Sequence, residues 1–382
     1  MTSPLRVLHI VSALNRGGIE CWLMNLLRLR HPELLFEFLV FGQGTFDEEA
    51  ESLGAVIHRL PFRSPIIHRH LREIESVIAQ GRYDAVHNHV PNASGSVLKI
   101  AEKHCVPVRI AHAHNTGWGK SAWSSSTWFH QHYQRFINRP KLRRYATDLL
   151  ACSQEAGFFF FGRLWKARSL KEMVYCGIPT IPFDIETSDA VRRNLFERYG
   201  IPADSIVVGT IGRLNYQKNF EFLVNVFNVL QRRSDRYVLF IAGEGKMRRM
   251  LEEQVKTLGL QGNVFMPGVC NNIPELTCHL YDVFCLPSRW EGFGIVLIEA
   301  IAAGLHCICS DVISQDICNV LPSSLSTMSL SAPMEQWCDA LEAGIAKRRT
   351  PREGAALLQR TPFSIENSME SLMKVYRSID FK

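Results

Sequence analysis

The sequence has no apolar run of the roughly 20 residues that a membrane-crossing helix needs. LLFEFLVF is cut by Glu37, and IVLIEAIAAGLHCIC by Glu299 and His306, so an integral membrane protein is not expected. The opening MTSPLRVLHIVSALN lacks the charged start, long apolar stretch and small-residue cleavage site of a secretory leader, which makes the cytosol the expected location. No C-x-x-C pair occurs among the eleven cysteines, an odd number, so reduced and mostly buried thiols are expected. No G-x-G-x-x-G follows a strand: GEGKMR lacks the third glycine, and GRLNYQK is unlike it. A dinucleotide oxidoreductase is thus left without its fingerprint. Low-complexity segments are lacking too.

What is present is enough chain for two cores. The 382 residues, 46% hydrophobic and 21% charged, fit two globular domains of roughly 150 to 200 residues each. RVLHIVSAL is a short apolar run that gives way to Asn15, Arg16, Gly17 and Gly18 and then to IECWLMNLLRLR, whose apolar residues recur at helical spacing. That is a strand, a glycine loop and a helix. The alternation continues through FEFLVFG, AVIHRL, LREIESVIAQG, YDAVHNHV, ASGSVLKIAEKH, VPVRIAHAH and DLLACS. A second series begins near residue 206 with SIVVGTIGRL and runs to HCICSD. Apolar strands alternating with helices imply parallel sheets covered on both faces, so the expected fold class is α/β with two doubly wound units. Between them MVYCGIPTIPFDIETSD, interrupted by Gly177, Pro179 and Pro182, reads as a connector with a hinge at residues 176–186. The tail FSIENSMESLMKVYRSIDF reads as one amphipathic helix with a serine at its N-cap.

Two segments carry chemistry. In SRWEGFGIVLIEAIAAG a loop holding Glu291, Gly292 and Gly294 precedes a helix that begins near Ile295, and glycines there let helix N-terminal amides approach an anion. Glu299 lies in that helix among apolar neighbours. A helix so apolar is expected to be buried nearly all round, where a carboxylate needs a donor; a purely structural glutamate is the competing reading. In VVGTIGRLNYQKNFEFLV, Arg213 follows a strand and Lys218 stands where the next helix should begin. A lysine there opposes the helix dipole unless an anion is bound, and an Arg fork with a Lys point charge suits a diphosphate. Two solvated surface cations are the alternative.

Gly17-Gly18 after the first strand, GRLNYQK at 212–218, GEG at 243–245, PG at 267–268 and EGFGIVLIEAIAAGL resemble, in that order, a retaining glycosyltransferase of family four with the GT-B fold. VRIAHAHNT at 108–116 resembles members that build bacterial exopolysaccharide. The resemblance spans nearly the whole chain. It implies a first, acceptor-side Rossmann-like domain at residues 1–180, joined by a crossover helix within 363–382, and a nucleotide-sugar donor domain at 181–362. Arg213 and Lys218 would hold the donor diphosphate, Glu299 the ribose hydroxyls and Glu291 the hydroxyls of the donor sugar. Amides around Phe293 to Ile295 would touch sugar and phosphate, and the Gly17-Gly18 loop would close over the phosphates. The family places a histidine near the donor sugar at the end of the fourth strand; His114 aligns best, with His112 as the alternative. No protein-bound metal or other cofactor is expected, and the absence of a D-x-D pair argues against metal-bridged nucleotide binding. The chain departs from the family pattern at CGIPTIPFD, at HCICSDVISQD and in the aromatic run Phe158 to Phe161.

The implied activity is transfer of a hexosyl unit from a nucleotide-diphosphate sugar, UDP being favoured over GDP on family habit, to a hydroxyl of a lipid-linked polysaccharide precursor with retention. A silent sugar-nucleotide-binding subunit and an epimerase of the same fold remain the alternatives. His87/His89 and His112/His114 are spaced two apart, so each pair shares one face of its strand at the edge where ligands bind. Four histidines could ligate zinc, but no carboxylate or thiol spacing completes a familiar site. From Asn115 to Thr147 there is no acidic residue, while Lys120, Arg135, Arg139, Lys141, Arg143 and Arg144 accompany Trp118, Trp123, Trp128, Phe129, Tyr133 and Phe136. Residues 118–144 therefore read as a docking surface for anionic lipid, peripheral on the inner face of the cell membrane, with core packing as the alternative. Nucleic acid is not an expected partner, since no recognition motif accompanies the charge.

Overall fold

The short apolar runs become strands, and those at the centre of the second sheet are buried on both faces. In the computed structural model, residues 3–61, 70–90, 94–117, 132–166 and 171–378 are described. Trp118, Lys120, Trp123, Trp128 and Phe129 lie outside them. The chain divides into two units, Met1–Gly177 with Ile365–Lys382, and Ile178–Ser364. Among the described residues no helix is long and apolar enough to cross a membrane.

The first unit is built on β1 (Leu5–Ile10), β2 (Leu34–Phe41), β3 (Val56–Leu60), β4 (Ala85–Asn88), β5 (Val108–Ala113), β6 (Asp148–Ala151) and β7 (Lys171–Met173). They pair in the order β3-β2-β1-β4-β5-β6-β7, with every pairing parallel. Parallel neighbours need crossovers, and the helices between strands supply them. The final helix, Ile365–Tyr376, belongs to this unit although it is the last element of the chain. Its buried face carries Ile365, Ser368, Met369, Leu372, Met373, Val375 and Tyr376. Trp22 Nε1 donates to Ser368 Oγ at 2.8 Å, and Ser368 Oγ donates to the Tyr175 carbonyl at 2.7 Å.

The second unit holds β8 (Ile206–Ile211), β9 (Tyr237–Ala242), β10 (Val264–Gly268), β11 (Val283–Leu286), β12 (Cys307–Ser310) and β13 (Leu325–Met328) in the order β10-β9-β8-β11-β12-β13. All six residues of β9 and all four of β11 and of β12 are buried, the signature of a sheet covered on both sides. The connector is less irregular than its prolines suggest: Ile178 bridges to Ser364, and residues Ile181–Phe183 form a single 3₁₀ turn. Proline at the start of a turn lacks only an N–H that would go unused.

The loops after β8 and β9 are packed too tightly for side chains. A Cβ on Gly243, whose φ is +151°, would come within 1.9 Å of the Gly212 carbonyl oxygen, and one on Gly245 within 2.3 Å of that of Leu214. The GEG segment is therefore glycine because it crosses the GRL segment backbone on backbone.

Candidate functional site

In the second unit the site grows from the C-terminal ends of β8 and β11, neighbours at the centre of the sheet, where open parallel sheets bind their ligands. The loop after β8 does not run straight into its helix. Asn219 takes the left-handed conformation at φ +57° as N-cap, and the helix is Phe220–Gln231. Lys218 therefore precedes the helix instead of starting it, which corrects the expectation from spacing. Its N–H donates to Asn215 Oδ1 at 3.1 Å and its stem passes over Gly212, so the ammonium turns away from the helix start.

That ammonium meets Glu291. Lys218 Nζ lies 2.7 Å from Glu291 Oε1, and Ser288 Oγ donates to the same oxygen at 2.6 Å. The side chains are 15% and 7% exposed, so the pair is shielded from the solvent that weakens surface ion pairs. Ser310 Oγ donates to the Ser288 carbonyl at 2.6 Å, pinning the loop to β12. Arg289 ties the two loops: it donates to the Tyr216 carbonyl at 2.7 Å, pairs with Glu221 at 2.7 Å and lies 3.8 Å over the Tyr216 ring. Gln217 Nε2 in return donates to the Trp290 carbonyl at 3.0 Å. Arg289 and Gln217 were not singled out in the sequence, because their partners are about 70 residues away and no spacing announces them; Ser288, three residues from Glu291, is one of many serines and carries no motif.

Gly294 adopts φ +89°, which glycine tolerates without strain, and caps the helix Ile295–Ala302. The helix is not buried all round, as its composition suggested. Leu297, Ile298, Ala300, Ile301 and Ala302 are buried, while Ile295, Val296 and Glu299 are only half-buried on one face. Glu299 accepts no hydrogen bond among the described residues. Burial lifts its carboxyl to about 7, against the pull of Lys218. Arg213 is exposed and its guanidinium makes no hydrogen bond among the described residues. Gly292 and Phe293 are buried, with the Phe293 ring edge-on to Phe363 at 5.3 Å. A cation in an ion pair, a carboxylate lacking a donor beside it and a second cation exposed in the loop after β8 are groups that can receive an anion and hydroxyl groups.

Glu299 also yields a split between stability and binding. A carboxyl whose folded value is raised above 4.5 lowers stability once pH exceeds that value, and the penalty levels off above 7. Glu299→Gln should therefore leave stability at pH 8 unchanged or raise it by up to about 1–3 kcal/mol, while weakening nucleotide binding. Urea unfolding beside calorimetric titration with UDP checks both; a destabilised variant that binds UDP normally would assign Glu299 a structural role.

The other expected residues lie in the first unit. Gly17 is the N-cap of the helix Gly18–Arg28 with no side-chain cap, and Gly18 is exposed. His112 is in β5 and His114 just after it; β5 is the fifth strand in chain order, not the fourth. The two HxH pairs do converge, and the structure adds His9 of β1, an isolated histidine in an apolar run that no motif had marked. His9 Nδ1 and His89 Nε2 are 3.1 Å apart, His89 Nδ1 and His114 Nε2 2.9 Å, and His87 Nε2 and His112 Nδ1 3.0 Å. His87 Nδ1 is 2.7 Å from the Tyr376 hydroxyl, and Cys176 Sγ is 3.8 Å from His114 Nδ1. Burial pushes all five rings down, His9 and His114 to about 3. His9 Nε2 and His112 Nε2 are buried without a hydrogen bond of normal length.

The basic segment is described from His132 onward, and two of its cations are not free for docking. Arg139 donates to the carbonyls of Phe159 and Phe160, both at 3.0 Å, at the end of the helix Gln154–Phe161. Lys141 Nζ donates to Ser96 Oγ at 2.9 Å. Arg135, Phe136, Ile137, Arg143 and Arg144 are exposed, Phe136 by 63%.

Residues 191–316 match the family described as glycosyl transferases group 1. The chain is 32% identical over 383 aligned residues to a putative glycosyltransferase, EpsF, of Bacillus subtilis, covering 98% of this chain and 97% of the relative. It is 23% identical to the capsular polysaccharide biosynthesis glycosyltransferase CapH of Staphylococcus aureus, over 98% of this chain and 99% of that one. The crystal structure of Anabaena HepE in complex with UDP and glucose superposes with a TM-score of 0.78 at 18% identity, covering 98% of this chain and 100% of that chain. Full-length kinship with EpsF and two doubly wound parallel sheets lead to one conclusion: the chain belongs to the group 1 glycosyltransferases and has the GT-B fold.

Proposed function

We propose that the protein transfers a hexosyl unit, with retention of configuration, from a UDP-sugar to a hydroxyl of a lipid-linked polysaccharide precursor. The observation that carries this reading is the Lys218–Glu291–Ser288 cluster with Glu299 on the neighbouring helix, and the exposed Arg213 in the same loop as Lys218. Lys218 and Arg213 neutralise a diphosphate, Glu299 accepts from ribose hydroxyls, and Glu291 exchanges part of its bond to Lys218 for hydroxyls of the sugar. Amides at Phe293 to Ile295 and the cations stabilise the departing diphosphate, whose oxygen takes the acceptor proton on the same face of the sugar. No metal enters this scheme. The second unit is thereby the donor unit and the first the acceptor side. The role of His114 beside the sugar, with His112 as alternative, rests on the resemblance. HepE in its complex with UDP and glucose, and CapH as a capsular polysaccharide enzyme, support the donor and the acceptor class.

The test is incubation of purified protein with UDP-hexoses and a lipid-linked acceptor, read by mass spectrometry and by the anomeric proton signal of the product. A product one hexose heavier with the donor's anomeric configuration is expected. UDP-sugar binding without turnover would mark a silent subunit, and donor isomerised without acceptor an epimerase; either sinks the proposal.

The acceptor's lipid would be met at a membrane surface. Arg135, Arg143 and Arg144 with Phe136 and Ile137 put cations beside exposed apolar groups, the pattern of an interfacial anchor. Replacing the three arginines with Gln should weaken binding to phosphatidylglycerol vesicles by up to about 1 kcal/mol per cation at low salt. Arg139→Gln should instead destabilise the fold. Co-sedimentation that the triple variant leaves unchanged would remove the patch from the membrane.

A further inference from the structure

Three of the five clustered imidazoles form, we propose, a binding site for one first-row divalent transition-metal ion: His89, His112 and His114. One ring nitrogen from each lies within 4.8 Å of the others. His112 and His114 share a face at the end of β5, with ring centres 3.9 Å apart, and His89 comes from the neighbouring β4 side, 5.1 Å from His114 and 5.6 Å from His112. Two imidazoles spaced two apart on one strand, with a third from the strand beside it, leave a fourth position open for water or an anion.

The nitrogens are prepared as ligands. His112 Nε2 is buried without a hydrogen bond of normal length, although the ring draws on the Val174 backbone, an arrangement that costs free energy unless something is bound there. Its other nitrogen faces His87 Nε2 at 3.0 Å, and His87 Nδ1 faces the Tyr376 hydroxyl at 2.7 Å. With Nδ1–H of His112 donating to His87, and Nδ1–H of His87 donating to Tyr376, the lone pair of His112 is left on Nε2. A metal-bound imidazole ordinarily has its second nitrogen fixed in this way. Binding would cost the single 2.9 Å bond between His89 and His114.

A second triad, His9, His87 and His89, is less suited. All three of its members are buried, and using His87 would break one of its two bonds, to His112 or to Tyr376. His114 is only half-buried and gives the first triad an entry. Imidazole ligands without a carboxylate select Zn²⁺, Co²⁺, Ni²⁺ or Cu²⁺ over Mg²⁺ and Ca²⁺. An ion held by His114 would also block transfer, a consequence that rests on the proposed function, whereas ion binding does not.

The experiment is titration of chelator-treated full-length protein with Zn²⁺, Co²⁺ and Mg²⁺, followed by calorimetry and metal analysis. One Zn²⁺ per chain with micromolar or tighter affinity is expected, together with visible d–d bands for Co²⁺ and no response to Mg²⁺. His112→Asn and His114→Asn should each weaken Zn²⁺ binding by at least about 100-fold, and His9→Asn should leave it within about threefold. The wild-type protein supplies a readout independent of how the variants fold: Zn²⁺ should protect His114 from diethyl pyrocarbonate, as mapped by mass spectrometry. Absence of Zn²⁺ binding at 100 times the expected dissociation constant, undiminished binding in folded variants, unprotected His114 or thiolate-to-cobalt charge transfer would each overturn the site. The last would move the ion to cysteine.

Discussion

Carried from pH 7 to pH 4.5, metal-free protein should lose much or all of its first unit while the second stays folded. His9, His87, His89, His112 and His114 are all held below the ordinary histidine value of 6.5, His9 and His114 at about 3, by burial first; mutual repulsion adds to this in His87, His89 and His112. In the unfolded chain each titrates near 6.5. A folded value below the unfolded one means that the unfolded state binds more protons as pH falls, so the stability present above 6.5 is lost toward the folded value. Each histidine costs about 1.4 kcal/mol per pH unit in that window, and five together up to about 7 kcal/mol per pH unit. A domain's whole stability is of order 5–15 kcal/mol, which places the midpoint within one to two units below 6.5. The second unit offers less: His306 is lowered to about 4 and His279 also falls, both by burial first. Carboxylates such as Glu37, held low by His58, Arg6 and Tyr83 against its burial, act only below 4.5. Hydrogen exchange resolved by peptide, with the proton uptake from the pH slope, reads the result. His9→Phe, which can keep a ring stacked on Phe36, now 4.9 Å away, should remove one proton from that slope. A slope of one proton, or both units unfolding together near pH 3, would show that the histidines titrate normally.

Lys218→Met should be the most damaging single change in the second unit. It leaves the Glu291 carboxylate 7% exposed with Ser288 still donating to it but without its ammonium, and breaking a buried pair from one side costs about 3–5 kcal/mol. The double variant Lys218→Met/Glu291→Gln should regain most of that loss, because a neutral amide does not need the ammonium. Nucleotide-sugar binding should be poor in both. Glu291→Ala should hurt turnover and sugar selectivity more than affinity for bare UDP. Urea unfolding and UDP titration of the two single variants and the double variant decide it: a double variant no more stable than Lys218→Met would mean that the pair is not coupled, and unchanged UDP affinity would take Lys218 out of the donor site.

Local pattern made the alternation of elements legible, because strand and helix periods are local properties of the chain. The start of the helix at Ile295 was legible too, since glycine at φ +89° marks it. What local pattern did not carry was pairing at a distance. Lys218 and Glu291 are 73 residues apart, and each could be given a ligand but not the other as partner. His9 contacts His89 across 80 residues and stands alone in a strand that otherwise reads as plain core. Arg139 and Lys141 look the same in sequence as Arg143 and Arg144, yet they bond to carbonyls and to a serine from other elements. The register of Lys218 against its helix turned on the left-handed Asn219, and asparagine is among the few residues for which that conformation is cheap.

The last helix of the chain also sets an order of events during synthesis. Trp22 waits 346 residues for Ser368, and His87 waits 289 for Tyr376. At ribosomal rates of 5–20 residues per second, the first interval is roughly 17–70 s. The second unit, Ile178–Ser364, is fully translated before that helix is made, so the half of the protein that begins first is finished last. From the completion of Gly177 until that helix is made, Trp22 lacks Ser368 and His87 lacks Tyr376, the state in which a chaperone would find the first unit.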